Sequence, residues 1–217
     1  MISLLPHRKR RKSLIDRVEL SVVTQSASFS GDLWFDVSVD LLKKATQLAN
    51  ARLTESARRV SPDRPSARNL DSQIRGAVGE LIASEWLRAN SFKVDDGYMD
   101  DHIHNSDLVV NGVSIEVMTA KIGDRRITGF CVPPNKLNAA RRRKAWGYLF
   151  VGTNEDSPPK KVLIQGVTYV GDVDSHEPRN TYVNNPQFAV LNFVVEPNNV
   201  RPPFELLTYL KSIPSRM

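Results

Sequence analysis

Ser106-Asp107-Leu108-Val109-Val110-Asn111-Gly112-Val113-Ser114-Ile115-Glu116-Val117-Met118 holds two β-rich runs around an Asn-Gly pair. Asn-Gly between such runs is the strongest short-range hairpin signal, because a two-residue turn needs positive φ at its central positions. That turn sets the register. Val110 falls opposite Val113, Val109 opposite Ser114, Leu108 opposite Ile115 and Asp107 opposite Glu116. Side chains alternate between faces. Leu108, Val110, Val113, Ile115 and Val117 form a wholly apolar face, the core side. Asp107, Val109, Ser114, Glu116 and Met118 share the other, exposed or lining a cleft. Two carboxylates directly opposite one another repel and weaken the pairing. A divalent cation would offset this, since Mg²⁺ is commonly held by one or two carboxylates with water and phosphate completing its shell. Solvation, or a nearby arginine or lysine, is the alternative.

Outward from the hairpin, residues 71–90 read as a helix. Ile74, Val78, Leu81, Ile82 and Trp86 make one apolar stripe; Gly76, Ala83 and Leu87 make a second, with Gly79 between them. Each glycine weakens a helix by roughly 1 kcal/mol relative to alanine, so two of them point to close packing. Residues 35–60 show helical apolar spacing, and the proline-containing stretch 61–66 marks a loop. A short strand is expected at 92–94. After the hairpin come a helix at 135–144, a buried strand at 146–152, strands at 161–170 and 188–195, and a closing helix at 204–212. The order implies an α/β sandwich with a mixed sheet. Residues 1–66 read as a basic arm and helical extension, and 67–217 as the main domain.

The chain has 217 residues and a net charge of +6, with a sequence pI of about 9.5. This balance favours an anionic partner, nucleic acid first. The cluster His7 to Lys12 and the run Arg141-Arg142-Arg143-Lys144 carry much of it. The single cysteine, Cys131, excludes an internal disulfide and a multi-cysteine zinc site; it reads as a small core residue. No apolar run approaches the roughly 18 residues of a membrane span. The charges at the N-terminus follow its apolar start, the reverse of a secretory signal, so a cytoplasmic location is expected. His102 and His104 alternate in a polar loop near Asp107, which reads as surface or, less readily, as a metal site. Phosphate-binding, dinucleotide and nucleophile-elbow signatures are absent from the sequence.

The runs Ser106–Val110 and Ile115–Thr119 around the turn resemble the hairpin of the PD-(D/E)xK nuclease superfamily. The helix containing Gly76-Ala77-Val78-Gly79-Glu80 resembles the one that often supplies these enzymes with a further acidic residue. The basic-ended helix and the strand at 146–152 continue the common core, so the likeness covers roughly residues 70–155. It implies a restriction-endonuclease-like three-layer sandwich with a central mixed sheet. It also implies Mg²⁺-dependent (or Mn²⁺-dependent) hydrolysis of DNA, a homodimer, and a role in bacterial defence or restriction. By the resemblance, Asp107 and Glu116 are metal ligands, joined by the Val117 carbonyl and by Glu80, with Glu85 as the rival helix carboxylate. Arg141, Arg142, Arg143 and Lys144 would hold the nucleic-acid backbone, contacts that position a duplex without reading it.

One position departs from the family. A lysine is expected two residues after the glutamate, to activate or position water, and Met118 stands there. A thioether can do neither. Three readings stay open. Met118 replaces a lysine in an inactivated enzyme; the lysine's role has moved, with Lys121 the nearest candidate; or the domain binds nucleic acid without cutting it. Strand alternation puts Lys121 on the face opposite Glu116 unless the strand bulges or ends.

Overall fold

The computed structural model describes residues 26–27, 33–57, 70–95, 106–122, 129–154, 156–181 and 190–214. The basic arm at the N-terminus, the loop at 61–66 and the histidine pair His102 and His104 lie outside them. In chain order the elements are strands β1 (Ser26–Ala27) and β2 (Leu33–Asp36), helices α1 (Val39–Ala57) and α2 (Leu70–Ala89), and strands β3 (Val94–Asp95), β4 (Leu108–Val110), β5 (Val113–Lys121) and β6 (Phe130–Val132). Helix α3 (Pro134–Arg142) is followed by strands β7 (Gly147–Thr153) and β8 (Lys161–Tyr169). The short helix α4 (Val170–Asp174), strands β9 (Pro178–Thr181) and β10 (Val190–Val195), and helix α5 (Phe204–Ser212) complete the described chain.

The fold is mixed α/β. Seven strands form one sheet in the order β1-β2-β8-β7-β5-β4-β3, and a small second sheet has the order β6-β10-β9. The hairpin takes the register its turn dictates: Leu108↔Ile115, Val109↔Ser114 and Val110↔Val113. Asn111 and Gly112 carry φ of 51° and 80°, the positive pair a type I′ turn requires. Strand β5 then runs parallel to β7, and every other pair in the sheets is antiparallel. A parallel neighbour needs a crossover; here the segment through β6 and α3 provides it.

Each face of the main sheet has its own core. On one, α1, α2 and α5 cover Ile115, Val117, Leu149, Val151 and Ile164 with Leu48, Val78, Ile82 and Leu206. On the other, Leu137 and Ala140 of α3, Val173 of α4 and Phe130 of the small sheet pack over Tyr148 and Phe150. Strand β7 is buried along its whole length, as the central strand between two covered faces must be. Helix α2 presses close because Gly79 has no side chain; a Cβ there would overlap Thr119 Oγ1 on β5.

Residues 33–57 are more than an extension. Strand β2 pairs with β8, and α1 buries Leu41, Ala45 and Leu48 in the same core as α2. A boundary near residue 67 therefore separates no second core. The second sheet was not expected from the sequence. Its strands β6 and β9 are only three and four residues long, and they meet through β10, which is far from β6 in sequence.

Candidate functional site

Strand β4 is short, and its ladder with β5 ends at Leu108↔Ile115. Two residues further along β5, the Val117 N–H points to the side β4 has vacated. The Asp107 carboxylate takes its place: Oδ2 accepts that N–H at 2.9 Å. Asp107 thus sits just beyond the end of β4, tied to the backbone, rather than as a plain cross-strand partner of Glu116. Its charge acts on Glu116 and on Glu80. Glu116 lies on the face covered by α3, whereas Glu80 belongs to α2 on the other.

Both neighbours are buried. Glu116 is 1% exposed and Glu80 is 6% exposed. Burial pushes the Glu116 carboxyl up, and the Asp107 charge adds to this; Arg143 and Lys136 oppose it. Arg143 Nη1 donates to Glu116 Oε1 at 3.0 Å. The Glu80 carboxyl is pushed up to about 7, by burial first and by Asp107 second. Arg52 of α1 opposes the shift through a bidentate pair, donating to Oε1 at 2.8 Å and Oε2 at 2.5 Å. So arginines provide part of the compensation that two facing carboxylates require. Among the described residues Asp107 shows no such arginine pair, and its charge is felt on both sides.

Tyr148 completes this end of the sheet. It is in register with Glu116 on the adjacent strand, fully buried, and its ring lies parallel to that of Phe150. Burial and the charges of Glu116 and Asp107 hold its phenol protonated, well above the usual range.

The other expected site residues divide. Met118 is half-buried and packs into the apolar cluster under α3. Lys121 ends β5, exposed, and its charge acts on Asp71, away from Glu80 and Glu116. The basic run separates into two pairs. Arg141 forms an ion pair with Asp174 and Arg143 turns inward to Glu116, while Arg142 and Lys144 stay exposed. Glu85, the rival of Glu80, forms a surface ion pair with Arg88 at 2.9 Å.

Three residues of this site escaped the sequence reading. Arg52 is 28 positions from Glu80, and nothing local announces that pairing. Tyr148 read as one more buried strand residue. Lys136 had a signal: it stands seven residues before Arg143, so one helix face carries both, with Ala140 between them. Lys136 is exposed, and its charge acts on both Glu80 and Glu116.

The donor chemistry fits a hard divalent cation. The carboxylate oxygens of Asp107, Glu116 and Glu80 and the Val117 carbonyl are oxygen donors of the kind Mg²⁺ takes. Among the described residues no three His, Cys, Asp or Glu side chains converge closely enough to hold a metal by themselves. Water and phosphate oxygens would complete the shell, the ordinary arrangement for Mg²⁺. No helix among the described residues is long and apolar enough to cross a membrane. No protein-family model matches the chain, and no curated protein matches its sequence.

Proposed function

We propose that the chain is a divalent-cation-dependent DNA endonuclease of the PD-(D/E)xK kind, built on a restriction-endonuclease-like core. The observation that carries this reading is the Asp107 carboxylate, tied to the Val117 N–H where β4 stops short, with the buried Glu116 next to Val117 on β5. The order α2-β3-β4-β5-β6-α3-β7, with β5 and β7 parallel, supports this reading. Asp107 and Glu116 would hold Mg²⁺, with the Val117 carbonyl and Glu80 in support. Such a cation, when bound, would supply Lewis-acid chemistry toward a phosphate and acidify a coordinated water. Lys136, exposed at the rim on α3, offsets phosphate charge in place of the lysine missing at Met118. Arg142 and Lys144, free of ion partners among the described residues, hold the nucleic-acid backbone. A second subunit would allow both strands to be cut, in keeping with a defence or restriction role.

One observation favours a second reading. Met118 packs among Leu137, Tyr148 and Phe150, so the position is built for an apolar side chain. On that reading the domain binds nucleic acid without cutting it. Cleavage of plasmid and single-stranded DNA with Mg²⁺ or Mn²⁺ decides between them. The nuclease reading expects cutting that Asp107→Ala abolishes, either in the chain as it stands or after Met118→Lys. Salt-sensitive DNA binding with no cleavage by either form would establish the binding module, and absence of DNA binding even at low salt would refute both.

A further inference from the structure

Three buried hydroxyls among the described residues have no hydrogen-bond partner: Ser84, Ser106 and Tyr148. Each stands beside one carboxylate of the site. Ser84 is one helical turn from Glu80 on α2, Ser106 directly precedes Asp107, and Tyr148 is the register partner of Glu116. Buried polar groups are nearly always satisfied, and an exception marks a missing partner. Tyr148 shares the α3 face of the sheet with Glu116, whereas Ser84 and Glu80 belong to α2 on the other face.

Tyr148 is the most constrained of the three. Strand β7 is covered on both faces, and the ring is fixed in the apolar cluster with Phe150. A neutral phenol donates one hydrogen. The charged groups acting at this hydroxyl are Glu116, Asp107, Arg141 and Arg143. Of these four charged groups only the two carboxylates can accept a hydrogen bond. Arg143 reaches both oxygens of Glu116, at 3.0 and 3.4 Å, and a carboxylate has lone pairs to spare after that.

We infer that Tyr148 is a positioning residue: its hydroxyl donates through one ordered water to the Glu116 carboxylate and fixes the orientation in which Glu116 meets a divalent cation. Partners of this kind orient metal ligands, and their loss commonly weakens metal affinity by about 10–100-fold. The inference rests on the cation reading proposed above. Its test is Mn²⁺ binding to the full chain and to Tyr148→Phe, followed by electron paramagnetic resonance, with thermal unfolding in parallel. The expected result is Mn²⁺ affinity about tenfold weaker in Tyr148→Phe at an unchanged or higher unfolding temperature, because the hydroxyl removed has no protein partner. Equal Mn²⁺ affinity in both forms overturns the role of Tyr148 and leaves the cation site standing. A fall in unfolding temperature accompanying the weaker binding overturns it in favour of a merely structural role. If the unaltered chain binds no Mn²⁺, the cation reading fails and this inference with it.

Discussion

Replacing Glu80 by glutamine probes the electrostatic centre of the site. The Glu80 carboxyl is held at about 7, against an ordinary 4.5, by burial and by the Asp107 charge. The native state therefore binds this proton more tightly than the unfolded chain does. The stabilisation is fully present below pH 4.5 and is lost as pH rises through about 7. A difference of that size is worth roughly 3 kcal/mol, a large part of the 5–15 kcal/mol typical of a domain. The Glu116 carboxyl is shifted in the same direction, so glutamine at Glu80 should reduce the dependence without abolishing it. Urea unfolding across this range, with a chelator present, reads the effect. The unaltered chain should lose stability as pH rises, Glu80→Gln should lose markedly less, and Asp107→Asn should move the Glu80 transition to lower pH. Stability that is flat through this window, or a Glu80→Gln slope equal to that of the unaltered chain, would refute the reasoning.

The packing and ion pairs make further predictions. Arg143→Ala leaves Glu116 buried without its arginine, which is expected to destabilise by roughly 3–5 kcal/mol at neutral pH; urea unfolding measures it, and adding Glu116→Gln should recover part of the loss. Gly79→Ala should destabilise by about 1–3 kcal/mol, although alanine ordinarily favours a helix, because its Cβ overlaps Thr119; Thr119→Ala should relieve the defect in calorimetric melts. On the nuclease reading, Lys136→Met should slow cleavage about a hundredfold with no change in unfolding temperature, since Lys136 is exposed. Lys121→Met, at the far end of β5, should leave cleavage nearly unchanged in the same plasmid assay.

Much of the fold was legible because it is local. A two-residue turn fixes φ and register together, so Asn111-Gly112 was enough to pair Leu108 with Ile115. Periodicity and flanking residues placed α2, α3, β7, β8 and α5 within a residue or two of their observed ends. The second sheet was hidden for the opposite reason. Strands β6 and β10 are separated by the whole of α3, β7, β8 and β9, and three apolar residues at Phe130–Val132 give no period to read. The same holds for α1: its helical spacing was visible, but its place in the main core depends on packing against α2 and on β2 joining β8, which no local pattern encodes.

The site shows where pattern stops and geometry begins. Alternation put Asp107 and Glu116 on one face, and repulsion between them demanded compensation. It could not supply the identity of the compensating groups, because Arg52 and Arg143 arrive from helices on opposite faces of the sheet. Nor could it show that β4 stops at Leu108, which frees the Val117 N–H for Asp107. That one truncation turns a pair of facing carboxylates into a site just beyond the end of β4, between two covering helices. It also bears on Met118. A lysine there would have to place its ammonium in the apolar cluster under α3, at a desolvation cost, whereas the charge of Lys136 acts on Glu80 and Glu116 from an exposed position on α3. On the nuclease reading, a cation entering from α3 needs no buried stem, so the chain can keep an apolar residue at 118 and still present positive charge to a phosphate.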